Sequence, residues 1–301
     1  MSPAITRASW LMILALGLTW GATFMVIEIA LTGITPFWLA AARIGFAALL
    51  MTAVWRLRGG RLFLTSARDW PALVFVGTLS SAVPFMLLSW GQQYVTSGFA
   101  GVSMAAVALM VLPLAHLLVP GERMTLRRSA GFLIGFAGVV VLIGAQAFSS
   151  TGAALEPYGR AACLGAAGCY AVSSVVMRRI PAIDPIGLAT ILLAIGAAIV
   201  IPAALIMEGP PPAVSGQTMA VLAVLGLIPT AGANILRVVV IRTAGPTFMS
   251  LTNYIVPVCS VVLGALVLAE PLPPSLLSAL ALILAGVFLS QWGALKRLFG
   301  R

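Results

Sequence analysis

The chain has 301 residues, 61% of them apolar and 8% charged, with a net charge of +10. An average soluble domain carries roughly 25% charged residues, so this composition excludes an ordinary soluble fold, and no nucleic-acid partner is expected for the basic excess. One His (His116), one Lys (Lys296) and no aspartate pair exclude a two-His zinc site, a Gly-Lys phosphate loop and a carboxylate magnesium site.

Ten apolar segments follow in chain order, at 8–31, 36–55, 70–90, 98–119, 126–147, 157–178, 185–207, 218–241, 247–269 and 273–296. Each approaches the ~20 residues that carry a helix across ~30 Å of hydrocarbon. They are too long and too evenly apolar for barrel strands, and lipid leaves no other way to satisfy the backbone. The expected fold class is an all-α membrane protein of ten transmembrane helices. The first run, of 24 residues, is too long for a cleavable leader. Cys163, Cys169 and Cys259 all fall inside segments and read as small packing residues.

Polar and aromatic residues at mid-depth mark a substrate cavity. The first segment offers Trp20, Thr23 and Phe24, the third Phe85 and Ser89, and the fourth Ser103. The sixth offers Tyr170 and Ser173, the eighth Thr230 and Asn234, and the ninth Asn253 and Tyr254. The cavity is therefore expected among segments one, three, four, six, eight and nine. Pro229 with Asn234, and Pro257 with Asn253, repeat one device: proline frees a carbonyl one turn back, which asparagine or a ligand can bond. Segments five and ten are nearly bare of polar groups, and Gly131-x3-Gly135 and Ala281-x3-Ala285 suit close helix packing.

Charges within the bilayer are costly and usually functional. Glu28 lies about one turn from the outer end of the first segment, as an interfacial carboxylate or a substrate or proton group. Arg43 in the second either pairs with a helix end or Glu28, or meets a substrate carboxylate. Arg237 in the eighth is placed to snorkel to headgroups. No Asp or Glu stands at mid-depth, so no obligatory proton-coupling carboxylate is expected in the cavity, and Glu28→Gln is expected to leave transport largely intact. Catalytic and metal-ligating clusters are not found, so no enzyme activity and no cofactor are expected.

With the N-terminus inside, 14 of the 17 basic residues fall on cytoplasmic segments, including the 56–69 loop, and only Arg160 falls on the far side. This positive-inside bias puts both termini in the cytoplasm. Glu122 and Glu270 follow long segments 148 residues apart, and Gly138-Val139 and Gly286-Val287 keep the same offset. Gly77 and Gly226 align at 149. Residues 1–147 and 148–301 thus read as two five-helix repeats, and an odd helix count inverts the second against the first.

Leu18-Thr19-Trp20-Gly21-Ala22-Thr23-Phe24, Ala41-Ala42-Arg43-Ile44, and the acidic residue before the last segment of each half with its following Gly-Val carry a resemblance. Over nearly its whole length the chain resembles the drug/metabolite transporter superfamily, EamA type, and within it bacterial exporters of amino acids, including aromatic ones. One departure is Pro113, nine residues before Glu122, against Pro257, thirteen before Glu270. The resemblance implies a secondary transporter of the bacterial inner membrane that exports small metabolites by alternating access. Its partners would be a small-molecule substrate and the bilayer, and a monomer would suffice. Two rivals stay open: a proton-coupled multidrug or cation exporter, and an intramembrane enzyme or lipid-binding scaffold.

Overall fold

The computed structural model describes residues 5–60, 69–119, 123–144, 154–178, 180 and 184–299. All ten predicted segments are helical. They are α1 (Arg7–Leu31), α2 (Pro36–Leu57), α3 (Trp70–Gly91), α4 (Ser97–Leu118), α5 (Leu126–Gly144), α6 (Glu156–Met177), α7 (Pro185–Glu208), α8 (Gly216–Ala244), α9 (Thr252–Val267) and α10 (Pro274–Phe299). Among the described residues, eight helices are long and apolar enough to cross a membrane, and Thr252–Val267 is a shorter apolar helix. The protein is a multi-pass, all-α membrane protein. Glu122, Arg61, Arg68, Arg179, Arg301 and most of the 56–69 loop lie outside the described residues.

Caps begin several helices. The Thr6 and Ser9 side chains bond each other's backbone N–H to open α1. Thr96 caps α4 by accepting from Phe99 N–H, and Asp184 caps α7 by accepting from Ile186 and Gly187 N–H. Such caps are worth about 1 kcal/mol each.

Two helices are not α-helical throughout. Thr78–Ala82 in α3 and Gly226–Gly232 in α8 are π-helical. The prolines explain why the ladder loosens there. Pro84 follows the first segment and Pro229 lies inside the second, and proline removes the donor that an α-helical carbonyl four residues earlier needs. The kinks expected at these prolines are therefore wider turns, a form often found at functional sites.

The helices pack in a crossed set of partnerships. α5 lies along α10, α2 along α7, α4 between α6 and α9, α1 along α9, and α3 along α6. The π-helical part of α8 packs on α2, and that of α3 on α7. The α5–α10 contact is the closest. A methyl group on Gly131 would come within 2.6 Å of Gly286 O, and one on Gly286 within 2.5 Å of Gly135 N. Gly131 and Gly135 pack closely as their spacing predicts, but the facing residue is Gly286 rather than Ala281 or Ala285.

Two large apolar clusters result. One gathers Phe24, Phe99, Leu109, Leu142 and Ile283 from α1, α4, α5 and α10. The other gathers Ile44, Met51, Phe85, Leu193 and Ala231 from α2, α3, α7 and α8. Tyr170 on α6 packs against both, so the seam between the clusters passes its ring.

Candidate functional site

The loosened turn of α8 organises the seam. Pro229 has no N–H for Leu225 O, and Thr230 Oγ1 donates to that carbonyl instead, at 2.8 Å. Trp20 Nε1 on α1 donates to Pro229 O at 3.0 Å. Asn234 Nδ2 donates to Thr230 O. Three successive demands of the α8 backbone are thus met by side chains, at about 1 kcal/mol net apiece. Of the two uses open to Asn234, the structure shows the bond to its own helix.

Thr230 also anchors a charge. Arg43 Nε donates to Thr230 Oγ1 at 2.8 Å, and the guanidinium lies over the Phe85 ring, 4.1 Å from its centroid. Arg43 is 7% exposed. Tyr170 is within electrostatic reach of it. No carboxylate is paired with Arg43 among the described residues. Arg43 therefore does not pair with Glu28. Its helix α2 is also not peripheral, as the polar pattern had placed it. A buried arginine held by one hydroxyl and one ring face is expensive to keep, which marks it as functional.

The remaining expected residues scatter around this hub. Thr23, Ser103 and Ser173 are buried and donate back to Thr19 O, Ala100 O and Tyr170 O of their own helices. Phe24 is core, and Ser89 is buried. Asn253 and Tyr254 are half-buried near the start of α9, and Tyr254 Oη is a buried hydroxyl without a hydrogen-bond partner. Arg237 is exposed on α8. So Trp20, Arg43, Phe85, Tyr170, Thr230 and Asn234 form one constellation, and the others do not bond to it.

A separate apolar pocket of about 380 Å³ lies among α4, α5 and α6, lined by residues including Met110, Pro113, Phe132, Phe136 and Val172. None of the expected cavity residues lines it.

Three acidic residues act at one end of the bundle. Glu208, at the end of α7, accepts from Thr35 Oγ1 at 2.6 Å, Phe37 N–H at 3.0 Å and Trp38 N–H at 3.1 Å, capping α2 from far along the chain. Glu28 and Glu270 both reach the N-terminus of α4, where they accept from Ser97 N–H at 3.1 and 2.8 Å. Glu270 gets there because Ala269 takes a left-handed conformation, φ 54°, turning the chain back after α9. The pattern analysis passed over Glu208 and Ser97 and used Glu270 only as a repeat marker. The available signal was an acid at the end of an apolar segment, Glu208 before Gly-Pro-Pro-Pro and Glu270 before Pro271.

Among known proteins, the chain is 28% identical over 138 residues to a probable terminal-alkyne amino-acid exporter of Streptantibioticus cattleyicolor, covering 46% of this chain and 45% of that one. It thus spans about half the length of that relative, and 46% of the length of protein PagO of Salmonella typhimurium. It is 29% identical over 286 residues to the uncharacterized inner membrane transporter YedA of Escherichia coli, covering 93% and 89% of the two chains. A solved crystal structure with 23% identity superposes with a TM-score of 0.68 over 95% of this chain and 98% of that one, a likeness of fold. Residues 8–144 and 158–292 each match the EamA-like transporter family. With both matched stretches together spanning nearly all of the helical bundle, the chain belongs to the EamA-like transporter family of the drug/metabolite transporter superfamily.

Proposed function

We propose that the protein exports small zwitterionic metabolites, amino acids among them, across a bacterial inner membrane. The observation that carries this reading is Arg43: a buried guanidinium at the seam between two apolar clusters, with no carboxylate partner among the described residues. A substrate carboxylate would complete it, as arginine's fork geometry suits that group. Phe85, Tyr170 and Trp20 line the approach with aromatic surface, which favours substrates with a planar or apolar side chain. The amino-acid exporter among the relatives supports the same class.

In this reading the ten helices are two inverted five-helix repeats that rock about the seam, with both termini in the cytoplasm. Support comes from the two family matches at 8–144 and 158–292. The π-helical segments begin at Thr78 and Gly226, again 148 apart. The partnerships pair off likewise: α4 on α6 corresponds to α9 on α1, and α2 on the loosened turn of α8 to α7 on that of α3.

Flux into proteoliposomes tests the proposal, using labelled amino acids and the amines that lack their carboxyl group. The parent should carry one or more amino acids and ignore the matching amines. A hydrogen-bonded charge pair is worth about 1.5–3 kcal/mol, so Arg43→Gln should weaken apparent affinity about 10–150-fold. Amines that compete equally, or an Arg43→Gln protein that transports like the parent at limiting substrate, would refute it.

A further inference from the structure

The N-terminus of α4 offers fewer donors than its acidic neighbours can accept. Ser97 N–H donates both to Glu28 Oε2 and to Glu270 Oε1, and Gly98 N–H donates to Glu270 Oε2 at 3.0 Å. Sharing one N–H draws the two side chains together, and they lie within hydrogen-bonding reach of each other. Ionised carboxylates are acceptors only. Two of them here would meet acceptor to acceptor, and like charges at such range do not both ionise. A helix N-terminus supplies about half a positive charge, enough for one carboxylate.

A second feature points into the same place. Ser97 Oγ is fully buried and has no hydrogen-bond partner. It lies beside Glu270: a methyl group on Gly264 would come within 2.4 Å of Glu270 Oε2 and 2.8 Å of Ser97 Oγ. A hydroxyl can donate or accept, so it can follow whichever oxygen carries the charge.

We propose that Glu28 and Glu270 bind one proton between them, and that this shared proton fastens the end of α1 to the turn between α9 and α10. With the proton in place, one carboxyl donates to the other, and the remaining charge rests on the α4 N–H groups. When it leaves, two anions compete for Ser97 N–H, and Glu28 parts from Glu270. The site ties α1 and α4 to a residue some 170 positions further along the chain, so its opening frees one half of the molecule from the other.

The surroundings leave the pair to itself. Among the described residues, α9 carries no charged residue, and the charges of α4, α5 and α10 lie at their opposite ends, at His116, Arg127 and Arg128, and Lys296 and Arg297. On α6, Glu156 and Arg160 pair with each other. Arg237 and Arg242 lie toward the far end of α8. A metal cation fits less well than a proton, because backbone N–H groups already point at both Glu270 oxygens. This assignment reverses the expectation that Glu28 is dispensable. It is independent of the amino-acid reading, since its test needs no substrate.

The test is infrared difference spectroscopy of the full chain in lipid nanodiscs, titrated in choline chloride. The expected result is the carbonyl band of one protonated carboxyl at neutral pH, lost in Glu28→Gln and in Glu270→Gln and kept in Glu208→Gln. Ser97→Ala should shift the band without removing it. Absence of the band in the parent, or its survival in both single variants, overturns the site. Loss in only one of them assigns the proton to that residue alone and overturns the sharing. Loss on replacing choline with sodium assigns the place to a metal ion and overturns it too. Should Glu270→Gln not fold, Gly98→Ala, whose added methyl would sit 3.2 Å from Glu270 Oε2, takes its place, and an unaltered band overturns the proposal.

Discussion

Two helix N-termini at the same end of the bundle are held by acids from distant parts of the chain, and they are held differently. At α2 one carboxylate, Glu208, meets three donors, Thr35 Oγ1, Phe37 N–H and Trp38 N–H. At α4 two carboxyls, Glu28 and Glu270, meet two backbone donors. The first arrangement has donors to spare and is a static clamp. The second has more acceptors than donors, and the difference between clamp and switch lies in that count. Sequence position says nothing of it, since all three are acids at the ends of apolar segments.

The comparison can be broken hardest at Gly264. A methyl group there meets both Glu270 Oε2 and Ser97 Oγ, and overpacking of this kind costs about 1–3 kcal/mol. Gly264→Ala should lower the thermal midpoint in detergent and also erase the difference between Glu270→Gln and its parent. If the variant melts like the parent, the carboxyl is not seated where the structure places it.

Next comes Glu208→Ala, which strips the α2 clamp. Two backbone N–H groups and one hydroxyl lose their acceptor, partly open to water, for a loss of about 1–2 kcal/mol. Because no second acid shares the site, that loss should be the same with Glu28 present or replaced. A double-variant cycle on thermal stability would show coupling if the two clamps were one network.

Ala269→Gly sharpens the contrast from the other side. A non-glycine residue at φ 54° is strained, and glycine should relieve it. The gain is limited to about 0.5–1 kcal/mol by the entropy that glycine adds to the unfolded chain. A stability loss there would mean that the alanine side chain, not the turn, positions Glu270.

The smallest stability change is expected from Glu28→Gln near neutral pH. The amide replaces one carboxyl–carboxyl contact by an N–H donor to Glu270, a difference within about 1 kcal/mol. Its signature is instead flattening: stability and transport that vary with pH in the parent should vary less in the variant. An unchanged pH profile would count against any role of Glu28 beyond packing.

How much of this could be read beforehand follows from the range of each interaction. Hydropathy located all ten helices to within a few residues, because burial in lipid is decided by composition over a local window. Gly131 and Gly135 were legible as a close contact for the same local reason. Arg43 and Thr230 were both singled out, but their bond joins residues 187 positions apart, and no local pattern announces it. Pro229 signalled a disturbed turn without saying that the turn would widen rather than kink. Ser97 gave no sign at all, because its N–H matters only through two acids brought from other helices. The Asn234 side chain shows the limit most plainly: proline and asparagine at that spacing allow two uses, and only the folded backbone shows Thr230 O accepting from it.

The widened turns at Thr78–Ala82 and Gly226–Gly232 bear on how such a chain can change over evolutionary time. A π-helical stretch accommodates one residue more than an α-helical one. Deleting a single residue within either stretch would let the helix close into regular α geometry, but would rotate everything beyond it by about 100° about the helix axis. In α8 that turn would carry Asn234 and Arg237 to a different face while leaving hydropathy untouched. Gaps in an alignment of relatives are therefore costly at these two places and cheap in the loops, and the helical register of α3 and α8 is inherited as a unit.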